Sequence, residues 1–159
     1  MFNIFKKKKT KEQEQEEALA ELRALPRPAM DFATPEGAIL CLEDAYRRKD
    51  IEAACACKDF LVEATLMLLE VAPDTADDPE VQAKATEVLE LGFRKEKEEA
   101  WPDMEGTESF FVEQHPLGDG IVLVTEFMRM PDGSFCETHL RVAHVAGKGW
   151  RVLNAVSDD

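Results

Sequence analysis

Residues 34–60 read TPEGAILCLEDAYRRKDIEAACACKDF, and the fold turns on this stretch. Thr34 carries the hydroxyl of a helix cap, and Pro35 suits the first helical position, where its missing N–H costs nothing. Ala38, Ile39, Leu40, Cys41, Leu42 and Ala45 then leave the helix apolar almost all round, which predicts a central, buried element. Tyr46 closes the apolar run with a polar tip, and Arg47, Arg48 and Lys49 complement the negative end of the helix dipole. Asp50 is expected to cap a second helix leading through Ala53, Ala54 and Cys57 to Phe60. The stretch holds no catalytic signature.

Working outward towards the C-terminus, residues 61–71 continue as a third apolar helix, and 72–78 form a loop. Asp78 and Pro79 are cap and first position of the next helix. There Val81, Ala85, Val88, Leu89 and Gly92 recur at helical spacing, so one face packs and the other is charged. From Glu108 the hydrophobic period switches to two, predicting strands over 109–116, 121–130, 135–145 and 150–156 joined by hairpin residues.

Asp132-Gly133 reads as a two-residue type I′ turn, which would pair Met128 with Glu137, Glu126 with His139, and Val124 with Arg141. A second two-residue turn at Gly147-Lys148 would pair Arg141 with Asn154 and Val142 with Leu153. These registers sort the side chains into two faces. One, carrying Phe110, Val112, Ile121, Leu123, Phe127, Leu140, Val142, Leu153 and Ala155, is assigned to the core. The other carries Phe111, Glu113, His115, Val122, Val124, Glu126, Met128, Phe135, Glu137, His139, Arg141, Trp150, Val152 and Asn154, and is too apolar to be ordinary surface.

Working back to the N-terminus, residues 1–11 read as a tail with an apolar tip and a basic block, too short of apolar surface for a firm membrane anchor. Residues 12–25 predict a helix with a narrow stripe of Ala18, Leu19 and Leu22, broken at Leu25-Pro26-Arg27-Pro28. The chain therefore divides into an N-terminal tail and helix over 1–28 and a folded domain over 29–159.

The chain of 159 residues is 45% hydrophobic, enough for one core, and no apolar run approaches the ~20 residues of a membrane span. Its formal charge of −14 disfavours nucleic acid and anionic membrane and favours a basic partner, with faster association at low salt. The four cysteines are scattered and read as buried free thiols. Neither a metal nor another cofactor is expected. Met1-Phe2-Asn3-Ile4-Phe5 precedes the lysines, the reverse of a secretory leader, so a cytoplasmic location is expected.

The stretch TPEGAILCLEDAYRRKDIEAACACKDF over 34–60, which contains the phrase A-Y-x-x-K-D-I-E-A-A-x-A-x-K-D-F, followed by helices and a C-terminal meander ending GKGWRVLNAV, resembles the nuclear-transport-factor-2-like superfamily over roughly 34–156. Within it, the phrase resembles bacterial immunity proteins that accompany polymorphic toxins. The resemblance implies an α+β fold, with N-terminal helices packed on a curved four-stranded antiparallel meander in a cone-like roll. It also implies a cognate toxin as partner, blocked at its active site, with a homodimer as a further possibility.

The sheet face of Phe111, Glu113, Val124, Glu126, Met128, Glu137, His139, Arg141, Trp150 and Asn154 has the aromatic, Met-bearing composition of an interface. The acidic loop of Trp101, Asp103 and Glu105 is a second candidate patch. The alternative is a small-molecule or isomerase/dehydratase-type pocket built on Tyr46, Glu126 and His139, where a carboxylate orients an imidazole for acid/base work.

Overall fold

A computed structural model describes residues 8–155, so the apolar tip with its first two lysines at 1–7 and the last four residues lie outside it. Five helices precede four strands: α1 (Lys11–Arg23), α2 (Pro35–Arg48), α3 (Ile51–Ala56), α4 (Phe60–Val71), α5 (Pro79–Glu99), then β1 (Glu108–Gly118), β2 (Ile121–Arg129), β3 (Phe135–Val145) and β4 (Gly149–Ala155). The strands form one open antiparallel meander in the order β1-β2-β3-β4, which makes the protein α+β.

The caps fall where the chain places acceptors. Thr34 accepts the Gly37 N–H at 3.0 Å, and Asp50 accepts that of Ala53 at 3.0 Å. Asp78 caps α5 with Pro79 at its first position. α1 begins at a reciprocal capping box between Thr10 and Gln13.

The second helix does not reach Phe60, as periodicity suggested, but stops at Ala56. The Cys57 carbonyl accepts the Val152 N–H of β4 at 2.8 Å, and Lys58 forms an isolated parallel bridge with Val152. Asp59 then starts α4 by accepting the Val62 N–H at 2.9 Å. The Phe32 carbonyl likewise takes the Trp150 N–H at 2.8 Å, so helix-side segments close the outer edge of β4. β1, the other edge, is exposed from Val112 to Gly118 and carries irregularities on either side of Val112 and before Gly118.

Both downstream hairpins depart from the predicted registers. Asp132 keeps a negative φ and only Gly133 is left-handed, at +88°. The loop is three residues long, with Gly133 N–H donating to Met130 C=O at 2.9 Å and Met130 N–H to Ser134 C=O at 2.7 Å. Pairing Pro131 with Ser134 would have required an N–H that proline lacks. The two-residue turn with both φ positive sits instead at Asp119-Gly120, at 54° and 73°. Consequently Met128 pairs with Cys136, Glu126 with Thr138, Thr125 with His139 and Val124 with Leu140.

A three-residue loop at 146–148 likewise pairs Val142 with Val152. An irregularity between Leu140 and Val142 then restores the predicted alignment, and Arg141 does reach Asn154, donating from Nη2 to Oδ1 at 2.6 Å.

A shift of one residue exchanges the faces of a strand. Val124, Val142 and Val152 share the helix-facing side and close the core against Ala38, Ile39, Leu42 and Ala45 of α2 and Ala54 of α3. Trp150, Phe111, Val122 and Leu140 pack around it. The face assigned to the core from sequence is therefore corrected for Ile121, Leu123 and Phe127, which lie on the opposite, outer side of the sheet, whereas Leu153 is buried as expected.

Candidate functional site

The new register divides the predicted docking residues between the two faces. Val124 is fully enclosed, Glu126 is buried, and Phe111 and Trp150 pack on the core. Met128, half-buried opposite Cys136, alternates with them on the helix-facing side. These five leave the proposed surface for the interior.

The polar members stay together on the outer side, in rows that run across the strands. Glu113, Thr125 and His139 form one row, and His115, Leu123 and Arg141 the next, with Asn154 beside Arg141. His139 Nδ1 lies 3.1 Å from Thr125 Oγ1, and its Nε2 lies 3.4 Å from Glu137 Oε1. Ile121, Leu123 and Phe127 stand half-buried among them. The outer face thus holds apolar side chains around a small cluster of hydrogen-bonded polar and charged groups.

The second patch keeps its predicted members. Trp101, Asp103 and Glu105 line a cleft of about 470 Å³ together with Tyr46, Arg47 and Lys49. The Tyr46 and Trp101 rings meet edge to face with centroids 6.4 Å apart, and Lys97 Nζ sits 5.3 Å from the Tyr46 ring. Burial holds the Tyr46 phenol above its usual pKa, so it stays protonated at any ordinary pH. Lys49 reaches this cleft from a left-handed C-cap at φ 53°, where Arg47 also donates to Thr107 Oγ1 at 3.2 Å.

The predicted pocket of Tyr46, Glu126 and His139 is not assembled. Glu126 faces the helices, whereas His139, paired with Thr125, faces outward. The partner of Glu126 is a residue that sequence reading passed over, Glu43 of α2.

Ser109 Oγ donates to Glu43 at 2.8 Å, and Thr138 Oγ1 donates to Glu126 Oε1 at 3.3 Å. Burial first, then the hydrogen bond to Glu126 and its charge, push the Glu43 carboxyl up to about 9. Glu43 therefore keeps its proton at neutral pH. That proton lets Glu43 donate to the buried Glu126 carboxylate. With Glu43 and Glu126 only 4% and 3% exposed, the pair is sealed from any substrate and joins α2 to the sheet. The signal in the sequence was a lone Glu43 on the apolar face of the central helix.

Cys55 and Cys57 are buried, Cys41 is half-buried and Cys136 is exposed, all as free thiols. Burial pushes the Cys57 thiol up to about 12 and so keeps it unreactive. Among the described residues, no group of three or more His, Cys, Asp or Glu is placed to hold a metal ion, and no helix is long and apolar enough to cross a membrane. No family model, curated protein or solved structure matches this chain.

Proposed function

We propose that this chain acts by binding a basic protein and blocking it, as an immunity protein disarms its toxin. The observation that carries the reading is the outer face of the sheet. It presents Ile121, Leu123 and Phe127 around Thr125, His139 and Arg141, with Glu113 and Glu137 exposed at its margin. Apolar side chains interleaved with an Arg and flanked by a charged rim are the composition of a protein interface. The charge of −14 favours a cationic partner, and exposed Asp103 and Glu105 beside Trp101 add to that attraction.

Membership of the nuclear-transport-factor-2-like superfamily rests on the resemblance over roughly 34–156, and the immunity role on the phrase over 45–60 within it. Helices followed by a four-stranded meander are in keeping with both. A cytoplasmic site of action belongs to the same proposal.

The test is co-expression with a toxin domain encoded beside this gene. Restored growth, together with a stable complex of the two purified proteins, supports the reading. Growth arrest unchanged by this chain, with no complex at low salt, overturns it.

A further inference from the structure

A cleft of about 250 Å³ opens between residues 22–30 and the start of β1, away from the Trp101 loop. Its walls are apolar, formed by Leu22, Leu25, Met30, Leu40, Phe110 and Phe111. Leu25 and Met30 remain 41% and 53% exposed, so the cleft opens to solvent through apolar lips. The rim, in contrast, is cationic. Arg23 grips Glu108 through two hydrogen bonds, of 3.2 and 2.9 Å, and Arg27 reaches the same carboxylate at 3.4 Å.

Two guanidiniums thus share one carboxylate, which leaves an excess positive charge beside an apolar cavity on a strongly acidic chain. Arg27, with 78% of its side chain exposed and one hydrogen bond to Glu108, keeps N–H donors to spare. The volume falls below the ~300–1,000 Å³ of pockets that hold drug-sized ligands, so the occupant is small.

We infer that this cleft binds a small amphipathic carboxylate, its unbranched apolar tail against Phe110 and Leu40 and its carboxylate on Arg27. Arg supplies a planar fork matched to a carboxylate, and the apolar walls reward each methylene removed from water. Glu108 competes for the same arginines, which selects for ligands that bring an apolar tail as well as a charge. The proposal does not rest on the proposed binding function, although Phe110 neighbours Phe127 of the docking face.

Octanoate is the probe, titrated into the full chain and followed by backbone amide NMR. We expect saturable binding with Kd on the order of 0.1–1 mM. Shifts should centre on Leu25, Met30, Leu40 and Phe110. Octanol, which lacks the charge, and acetate, which lacks the tail, should each bind at least roughly tenfold more weakly.

Arg27→Ala is a substitution at an exposed side chain that leaves the Arg23–Glu108 pair in place. It should weaken octanoate about tenfold and leave octanol unchanged. Met30→Glu, which sets a carboxylate at the mouth, should weaken octanoate more than octanol. Equal affinity for octanoate and octanol, no effect of Arg27→Ala, or shifts located elsewhere would each overturn the assignment.

Discussion

Glu43 shows how a single side chain can set the pH response of the whole fold. Its carboxyl sits at about 9 in the folded chain against an ordinary value of 4.5. An acid raised in this way favours folding while protonated. Its contribution is fully present below about pH 4.5 and is lost as pH climbs towards about 9. Stability measured by urea unfolding should therefore fall between pH 5.5 and pH 8.5. Glu43→Gln keeps the shape and a donor for Glu126 but cannot ionise, so its stability should vary less over that range. A variant profile as steep as that of the native chain would remove Glu43 as the cause.

Gly133 is the second decisive residue. At φ +88° it occupies the left-handed region, and Gly133→Ala should cost roughly 1–2 kcal/mol, read as a lower denaturation midpoint with unchanged slope.

At the scale of elements, the join between α3 and α4 depends on a buried ion pair. Lys58 Nζ lies 2.6 Å from Glu63 Oε1, and both side chains are only 7% exposed. Lys58 Nζ also lies 5.8 and 5.2 Å from the ring centres of Phe60 and Phe93, which carry the contact between α4 and α5. Removing one partner strands a charge in an apolar site. Lys58→Met should thus cost about 3–5 kcal/mol in denaturant unfolding, and the double change Lys58→Met/Glu63→Leu should recover most of it. A single variant as stable as the native chain would show that the pair is not the support inferred here.

The limits of sequence reading lie at this same scale. Caps at Thr34, Asp50 and Asp78, the α2 core and the four strands were legible because each follows from local chemistry. The α3–α4 break was not, since it depends on Val152, which lies far along the chain. Register failed by one residue at Asp132-Gly133. There Pro131 was the overlooked signal: proline before Asp-Gly fits the second position of a type I turn, not a strand position that must donate. That single slip moved Val124 and Glu126 inward and separated His139 from Glu126, so the candidate pocket dissolved while most polar docking residues kept a common face.

For the whole molecule, charge and shape have separate consequences. A chain of charge −14 should meet a basic partner faster as salt falls, whereas dissociation should respond to the apolar centre of the outer face. Leu123→Asp, on a half-buried outward position, should raise the dissociation rate at least roughly tenfold and leave the circular dichroism spectrum unchanged. The paired change Asp103→Lys/Glu105→Lys should act mainly on the association rate and lose its effect at high salt. Stopped-flow and surface-capture kinetics across a salt series distinguish the two, and a Leu123→Asp variant with native dissociation would move the interface off this face.

The two flanks of the meander also differ in what they permit. Cys57 and Phe32 already occupy donors of β4, while β1 keeps free ladder groups along an irregular, solvated run. Sheet extension by recruitment of another chain is therefore one-sided. Two copies meeting β1 to β1 would use up the one flank left vacant among the described residues of each, so such growth should end at a pair.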